Sequence, residues 1–250
     1  MSDFTSKTVV ITGASRGIGA ATARHFAALG ANVVLAARSV SEIDKITAEI
    51  GANALAVACD VSDVTQVENL INTAVEHFDS IDILINNAGV IEPVERLEES
   101  DIDAWSRMMD INIKGVYYAI RYALPIMKTQ GAGTIINIGS GAATSALEGW
   151  SHYCTSKAAV HHLTTCLHTE ESDNGIRALV LSPGTVATDM QTIIAASGIN
   201  PVSQIPWDDH IPANWVAQAL TWMATDDADE WLGHVVSLRD SGIRSRVGLI

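Results

Sequence analysis

Tyr153 and Lys157 stand four residues apart in Tyr153-Cys154-Thr155-Ser156-Lys157, at the start of a helical segment. That spacing puts both side chains on one helix face. A free phenol titrates near pH ~10, too high for efficient proton exchange at neutrality, and a nearby ammonium lowers that value by favouring the phenolate. The pair is a candidate acid and base, with Tyr153 carrying the proton. Ser140 ends Asn137-Ile138-Gly139-Ser140. Its hydroxyl is either a turn residue's or a donor to a substrate oxygen on which charge develops. His161, His162 and His168 follow on the same helical stretch and are expected to pack or face solvent rather than bind metal. No H-x-x-x-H or cysteine pair suggests a metal site.

A second constellation comes early. Thr8 to Ile11 reads as a strand, and Thr12-Gly13-Ala14-Ser15-Arg16-Gly17-Ile18-Gly19 leads from it into a helix over Ala20 to Leu29. Glycines let the backbone approach a pyrophosphate, and the helix start offers free N–H groups and partial positive charge. The second strand, Val33 to Ala36, ends in Ala37-Arg38-Ser39, where an NAD-binding chain usually places a carboxylate for the ribose hydroxyls. Arg38 and Arg16, with Ser39 as a further donor, could instead meet the 2′-phosphate of NADP. The alternative is two solvated arginines. NADP(H) is the expected cofactor.

These residues need strands to carry them. Further strands are expected at Ala54 to Ala58, Ile81 to Ile85, Thr134 to Ile138 and Ala178 to Leu181, with an edge at Val235-Val236. Helical patterns occupy Val64 to Phe78, Trp105 to Met127 with an interruption near Gly115, and Ala158 to Glu171. Short continuous β-branched runs between helices predict an α/β fold: one doubly wound Rossmann-type parallel sheet flanked by helices on both faces. One domain is expected over 1–250.

The glycine spacing G-x-x-x-G-x-G, Asn86-Asn87-Ala88-Gly89 after the fourth strand, Asp60-Val61 after the third and the Tyr153/Lys157 pair together resemble the short-chain dehydrogenase/reductase family. The resemblance spans residues 7 to about 190 and then weakens. It implies that Ser140 and Asn112, the latter in Asp110-Ile111-Asn112-Ile113-Lys114-Gly115, complete the catalytic set. Asn112 would interrupt its helix and hold a water that relays protons to Lys157. It implies adenine contacts from Asp60 and Val61, further cofactor contacts from Asn87, Ala88 and Gly89, and nicotinamide contacts near Pro183, Gly184, Val186 and Thr188. Lys157 would also bind the nicotinamide ribose. An Asp60 N-cap role is less apt, because Asp63 stands closer to the helix start. The implied activity is reversible hydride transfer between NADP(H) and a carbonyl or alcohol, in a homodimer or homotetramer.

Gly149-Trp150, Tyr153-Cys154 and Thr188-Asp189-Met190-Gln191 look like the sepiapterin and benzil reductase branch, which reduces vicinal dicarbonyls and aromatic ketones. Trp150 is then a pocket wall, or else a residue packed under a loop. The branch's pterin-anchoring aspartate has Ser237 in its place, and the frequent V-D-G-G ending gives way to Ser237-Leu238-Arg239-Asp240. Residues 185–212 are expected to form a variable substrate lid. Alternatives within the same chemistry are a 3-oxoacyl-thioester reductase and a secondary alcohol dehydrogenase. A non-catalytic dinucleotide sensor is the alternative of another class.

The net charge of −14 disfavours nucleic acid and anionic membrane as partners. No apolar run approaches the ~18–20 residues of a membrane span. Three widely spaced cysteines and a polar start point to a cytoplasmic protein.

Overall fold

The computed structural model describes residues 3–250, and among these the chain forms seven parallel strands in the order β3-β2-β1-β4-β5-β6-β7. The strands are β1 Thr8–Thr12, β2 Asn32–Ala37, β3 Ala54–Ala58, β4 Ile83–Asn86, β5 Gly133–Ile138, β6 Ile176–Ser182 and β7 Val235–Ser237. The helices are α1 Gly17–Ala28, α2 Val40–Ile50, α3 Val64–Phe78, α4 Ile102–Met109, α5 Gly115–Gln130, α6 Ser151–Glu171, α7 Asp189–Ser197, α8 Ala213–Met223 and α9 Ser241–Val247. None of the described helices is long and apolar enough to cross a membrane.

Side chains alternate across each strand, so successive residues serve different layers. Val9, Ile11, Val33 and Leu35 pack with Phe26, Leu220 and Met223 on one face. Val10, Val34, Leu84 and Ile135 pack with Leu70, Ala123 and Leu167 on the other. Both faces being covered is why the strands read as unbroken apolar runs. Strand order reverses at β1, which pairs with β2 on one side and β4 on the other. Ligands of such sheets bind beyond the carboxyl ends at that point.

Several expected boundaries shift. The fourth strand starts at Ile83 rather than Ile81, whose N–H is taken by the Gln130 side chain outside the ladder. Helix α6 starts at Ser151, not Ala158, so Tyr153 and Lys157 lie within its first two turns. The stretch Trp105 to Met127 divides into α4, a π-helical turn at Asp110–Lys114, and α5. The interruption therefore precedes Gly115. Helices α2, α8 and α9 carry patterns too short or too charged to stand out in the sequence; α2 buries only Ile43 and Ile46.

Residues 185–212 hold α7 and two short 3₁₀ turns, Pro201–Gln204 and Trp207–Asp209. The segment closes on itself where Val186 bridges Ile211, with Ala187 N–H donating to Ile211 C=O at 2.9 Å.

Gly115 lets α5 meet Val61 at the end of β3: a Cβ there would stand 2.8 Å from Val61 Cγ2 and 3.0 Å from its carbonyl oxygen. Gly115→Ala is expected to cost about 1–3 kcal/mol through overpacking. Urea unfolding checks this, and an unchanged midpoint would contradict the contact.

Candidate active site

The glycine loop is built around close backbone approaches. Gly13 has φ +66°, and a Cβ on it would lie 2.8 Å from Ala88 Cα. A Cβ on Gly19 would overlap the Gly13 carbonyl. Asn87 Nδ2 donates to Thr12 O at 2.9 Å and Gly13 O at 3.0 Å, while the Asn87 and Ala88 amides both donate to Thr12 Oγ1 at 3.1 Å. The ends of β1 and β4 are thereby stitched together. Helix α1 starts with neither a side-chain cap nor an acidic residue in its first turn, which leaves N–H groups and positive potential for an anion. Ser15 and Arg16 sit at that start, and Ile18 packs inward behind it. This cradle fits a dinucleotide pyrophosphate.

Past β2, Arg38 and Ser39 are exposed. Ser39 precedes α2 without capping it through its side chain. Arg38 makes no salt bridge among the described residues, whereas Arg16 pairs with Asp189 at 3.1 Å across a mostly exposed gap. Asp63 caps α3, accepting from the Thr65 and Gln66 amides, as expected. Asp60 instead accepts from Ser62 N at 3.0 Å and Ser62 Oγ at 2.6 Å. Burial works against its charge, but the Ser62 bonds together with Arg38 and Arg107 outweigh that and hold its carboxyl below the usual value.

Tyr153, Lys157, Ser140 and Asn112 converge where β4, β5 and α6 meet. The π-helical turn carries Asn112 out of regular helical phase, and its side chain is fully engaged. Oδ1 accepts from Val90 N at 2.9 Å; Nδ2 donates to Val90 O at 2.9 Å and to Ser156 Oγ at 3.3 Å. A Cβ on Gly89 would lie 3.4 Å from Asn112 Oδ1 and 3.7 Å from Lys157 Nζ, so these three residues share one small space. Lys157 Nζ donates to Ile138 O at 2.8 Å and lies 5.6 Å from the Tyr153 ring centroid.

The electrostatics differ from expectation. Burial pushes the Tyr153 phenol up to about 12, with a hydrogen bond to Ser140 pulling only partly back. Burial also pulls the Lys157 ammonium down to about 8. The lysine does not produce the expected lowering, because desolvation penalises both charged forms and Nζ is turned toward a carbonyl. Burial in the free chain thus favours the protonated phenol of Tyr153.

Trp150 is buried and meets the Tyr153 ring edge to face, with centroids 5.5 Å apart. Its burial places it behind the phenol. Around both lie Ile91, Met108, Ala142 and Ile194, an apolar nest to which α7 contributes Ile194. On the far side of β6, Gly184 has φ +78°, and Thr188 approaches Gly17 so that a Cβ there would lie 3.1 Å from Thr188 Cγ2. The Pro183–Thr188 segment therefore joins the glycine loop to α7. Sequence reasoning missed a buried relay beneath the site: Asn86 Nδ2 donates to Asn137 Oδ1 and Asn137 Nδ2 to Thr164 Oγ1, each at 2.8 Å. Polar residues at matching ends of two apolar strands were its signal.

A family model described as short chain dehydrogenase matches residues 7–197. The chain is 38% identical over 225 residues to an uncharacterised oxidoreductase of Staphylococcus saprophyticus, covering 89% of this chain and 91% of that one. It is 40% identical over 189 residues to meso-2,3-butanediol dehydrogenase of Serratia marcescens, covering 75% and 74%. Its fold matches the crystal structure of 3-ketoacyl-(acyl-carrier-protein) reductase from Brucella melitensis complexed with NADH. That match has a TM-score of 0.86 and 28% identity, over 94% of this chain and 98% of that one.

The buried ammonium has a consequence for stability. With a folded value of about 8 against 10.5 unfolded, the unfolded chain binds more protons between those limits, so stability rises with pH across that window. Lys157→Met removes this component. The variant's advantage in unfolding free energy over wild type is expected to be greatest near pH 7 and to shrink toward pH 10.5. Parallel stability curves from denaturant melts would contradict the buried charge.

Proposed function

This chain belongs to the short chain dehydrogenase family, and we propose that within it the protein is an NADPH-dependent reductase of a small ketone or vicinal dicarbonyl. The wider class is not in question: it is an NAD(P)-dependent enzyme acting on CH–OH and C=O groups. The observation that carries the reading is the Tyr153 phenol itself, buried in an apolar nest beside Ser140 with the Lys157 ammonium 5.6 Å from its ring centroid. A phenol is a far stronger acid than an alcohol, so even one that burial keeps in its acid form can give its proton to a nascent alkoxide, and a cation beside it eases that transfer.

A bound nicotinamide dinucleotide would supply or accept the hydride. Gly13 to Gly19 would hold its pyrophosphate, Asp60 and Val61 its adenine, and Asn87 to Gly89 with Tyr153 and Lys157 its central part. Pro183, Gly184, Val186 and Thr188 would line the nicotinamide end. In reduction, Ser140 donates a hydrogen bond to the substrate oxygen, and Tyr153 passes its proton to that oxygen as charge builds. In oxidation, the proton must first leave Tyr153, and Lys157 with Asn112 offers the route. Trp150 fixes the ring of Tyr153 and closes the back of the substrate site, while residues 185–212 act as its lid.

The NADP preference rests on Arg38, an exposed guanidinium free of salt bridges among the described residues, and on the missing carboxylate at the end of β2. Arg16 would exchange Asp189 for the 2′-phosphate. The Brucella protein is complexed with NADH, so the preference here depends on these residues and not on that likeness. The vicinal-dicarbonyl substrate draws support from the Serratia enzyme, named for a diol with adjacent hydroxyls. The second reading, a 3-oxoacyl-thioester reductase, draws on the Brucella likeness. A non-catalytic sensor fits less well, since Tyr153 and Lys157 are both present and packed together. We place the protein in the cytoplasm, on its three free cysteines, as a homodimer or homotetramer built through α5 and α6.

An NADPH-oxidation screen across simple ketones, vicinal diketones and 3-oxoacyl thioesters tests the substrate, and turnover confined to thioesters would favour the second reading. Tyr153→Phe is expected to lower kcat by about 10²–10⁴-fold. Its NADPH affinity should stay within about threefold, and retained turnover would contradict the assignment. Arg38→Ala is expected to weaken NADPH binding by about 10- to 100-fold while leaving NADH binding unchanged. Equal losses for both dinucleotides in a fluorescence titration would overturn the preference.

A further inference from the structure

We infer that His161 is a positioning residue for the proposed reaction, its Nε2 accepting from the Ser140 N–H at 3.3 Å and so fixing the serine that meets the substrate oxygen. The inference rests on the carbonyl-reductase reading for the role of Ser140, but the clamp itself rests on geometry alone.

Tyr153, Lys157 and His161 follow one another at intervals of four along α6, which aligns them on one face. The Gly139 N–H donates to Leu181 C=O of β6 at 2.8 Å. Backbone groups alternate sides along a strand, so the neighbouring Ile138 C=O and Ser140 N–H face away from β6. The β4 ladder ends at Asn86 and Asn137, one residue too early to take them. Buried backbone groups without partners are costly, and two side chains of α6 supply the partners. Lys157 donates to Ile138 C=O at 2.8 Å, and His161 accepts from Ser140 N–H one turn later. Between them sits Gly139, where any Cβ would overlap the imidazole and Val180 Cγ1. The glycine before the serine is thus what allows the histidine to reach its target.

The acceptor role requires Nε2 to be unprotonated, with the ring proton on Nδ1. Burial, and then the Lys157 ammonium, pull the imidazole down to about 4, so it stays an acceptor across the working range. β5 brings no titratable side chain to it. The one on β6, Arg177, is bonded to Asp229 near the start of that strand.

Two variants separate positioning from space filling. His161→Met removes the acceptor at similar volume, and His161→Gln places an amide oxygen where Nε2 stood. His161→Met is expected to lower kcat at least fivefold, with the carbonyl KM and NADPH affinity within twofold of wild type. His161→Gln should recover kcat to within threefold of wild type. A smaller fall, a failed recovery, or parallel losses of kcat, NADPH affinity and melting temperature in both variants would overturn the proposal. A second readout needs no substrate. In ¹⁵N-histidine spectra of the free chain, His161 is expected as the Nδ1–H tautomer, uncharged until near pH 4. An Nε2–H tautomer or titration near pH ~6.5, an ordinary histidine's value, would refute the clamp. If wild type reduces no carbonyl while these spectra hold, the functional reading fails and the clamp stands.

Discussion

A lysine ammonium buried at the end of a central strand is the costliest feature of this structure, and much of the surrounding architecture answers it. Lys157 is 5% exposed, and among the described residues its ammonium donates to one backbone carbonyl, that of Ile138. A charge so placed is tolerable only if its surroundings supply oriented dipoles. The π-helical turn at Asp110–Lys114 sets Asn112 against Val90 and Ser156, Gly89 leaves room for Asn112 and Lys157 side by side, and β5 ends where its carbonyl can receive Nζ. Ser140 follows two residues after that carbonyl.

The same burial acts oppositely on the two members of the pair. It raises the phenol to about 12 and lowers the ammonium to about 8, so both lean toward their uncharged forms before any ligand arrives. In that state the phenol still holds the proton that reduction would consume. Positive charge arriving beside the phenol would reverse the balance by favouring phenolate.

Much of this was legible in the residues themselves. Unbroken runs such as Val9-Val10-Ile11 and Ile135-Ile136 announce strands covered on both faces, and the glycine loop, Asn87 and the Tyr153/Lys157 spacing are local patterns. What escaped depends on distant parts of the chain. Helices α2, α8 and α9 gain their stability from packing on the sheet, which local periodicity does not report. The sign of the Tyr153 shift could not be read from its neighbour at i+4, because desolvation comes from Trp150, Met108 and Ile194, each brought in by a different segment. The pairing of Arg16 with Asp189, the first residue of α7, likewise joins two distant segments. His161, expected to pack or face solvent, meets the Ser140 amide because Gly139 lacks a side chain.

Burial favours the protonated form of Tyr153 in the free chain. Its phenolate absorbance, taken as the difference between wild type and Tyr153→Phe during an alkaline titration, measures this directly against the other three tyrosines. The account predicts no ionisation of Tyr153 below pH ~10 without cofactor, followed by a fall in its value when oxidised dinucleotide is bound. Ionisation of Tyr153 near neutrality in the free chain would contradict it.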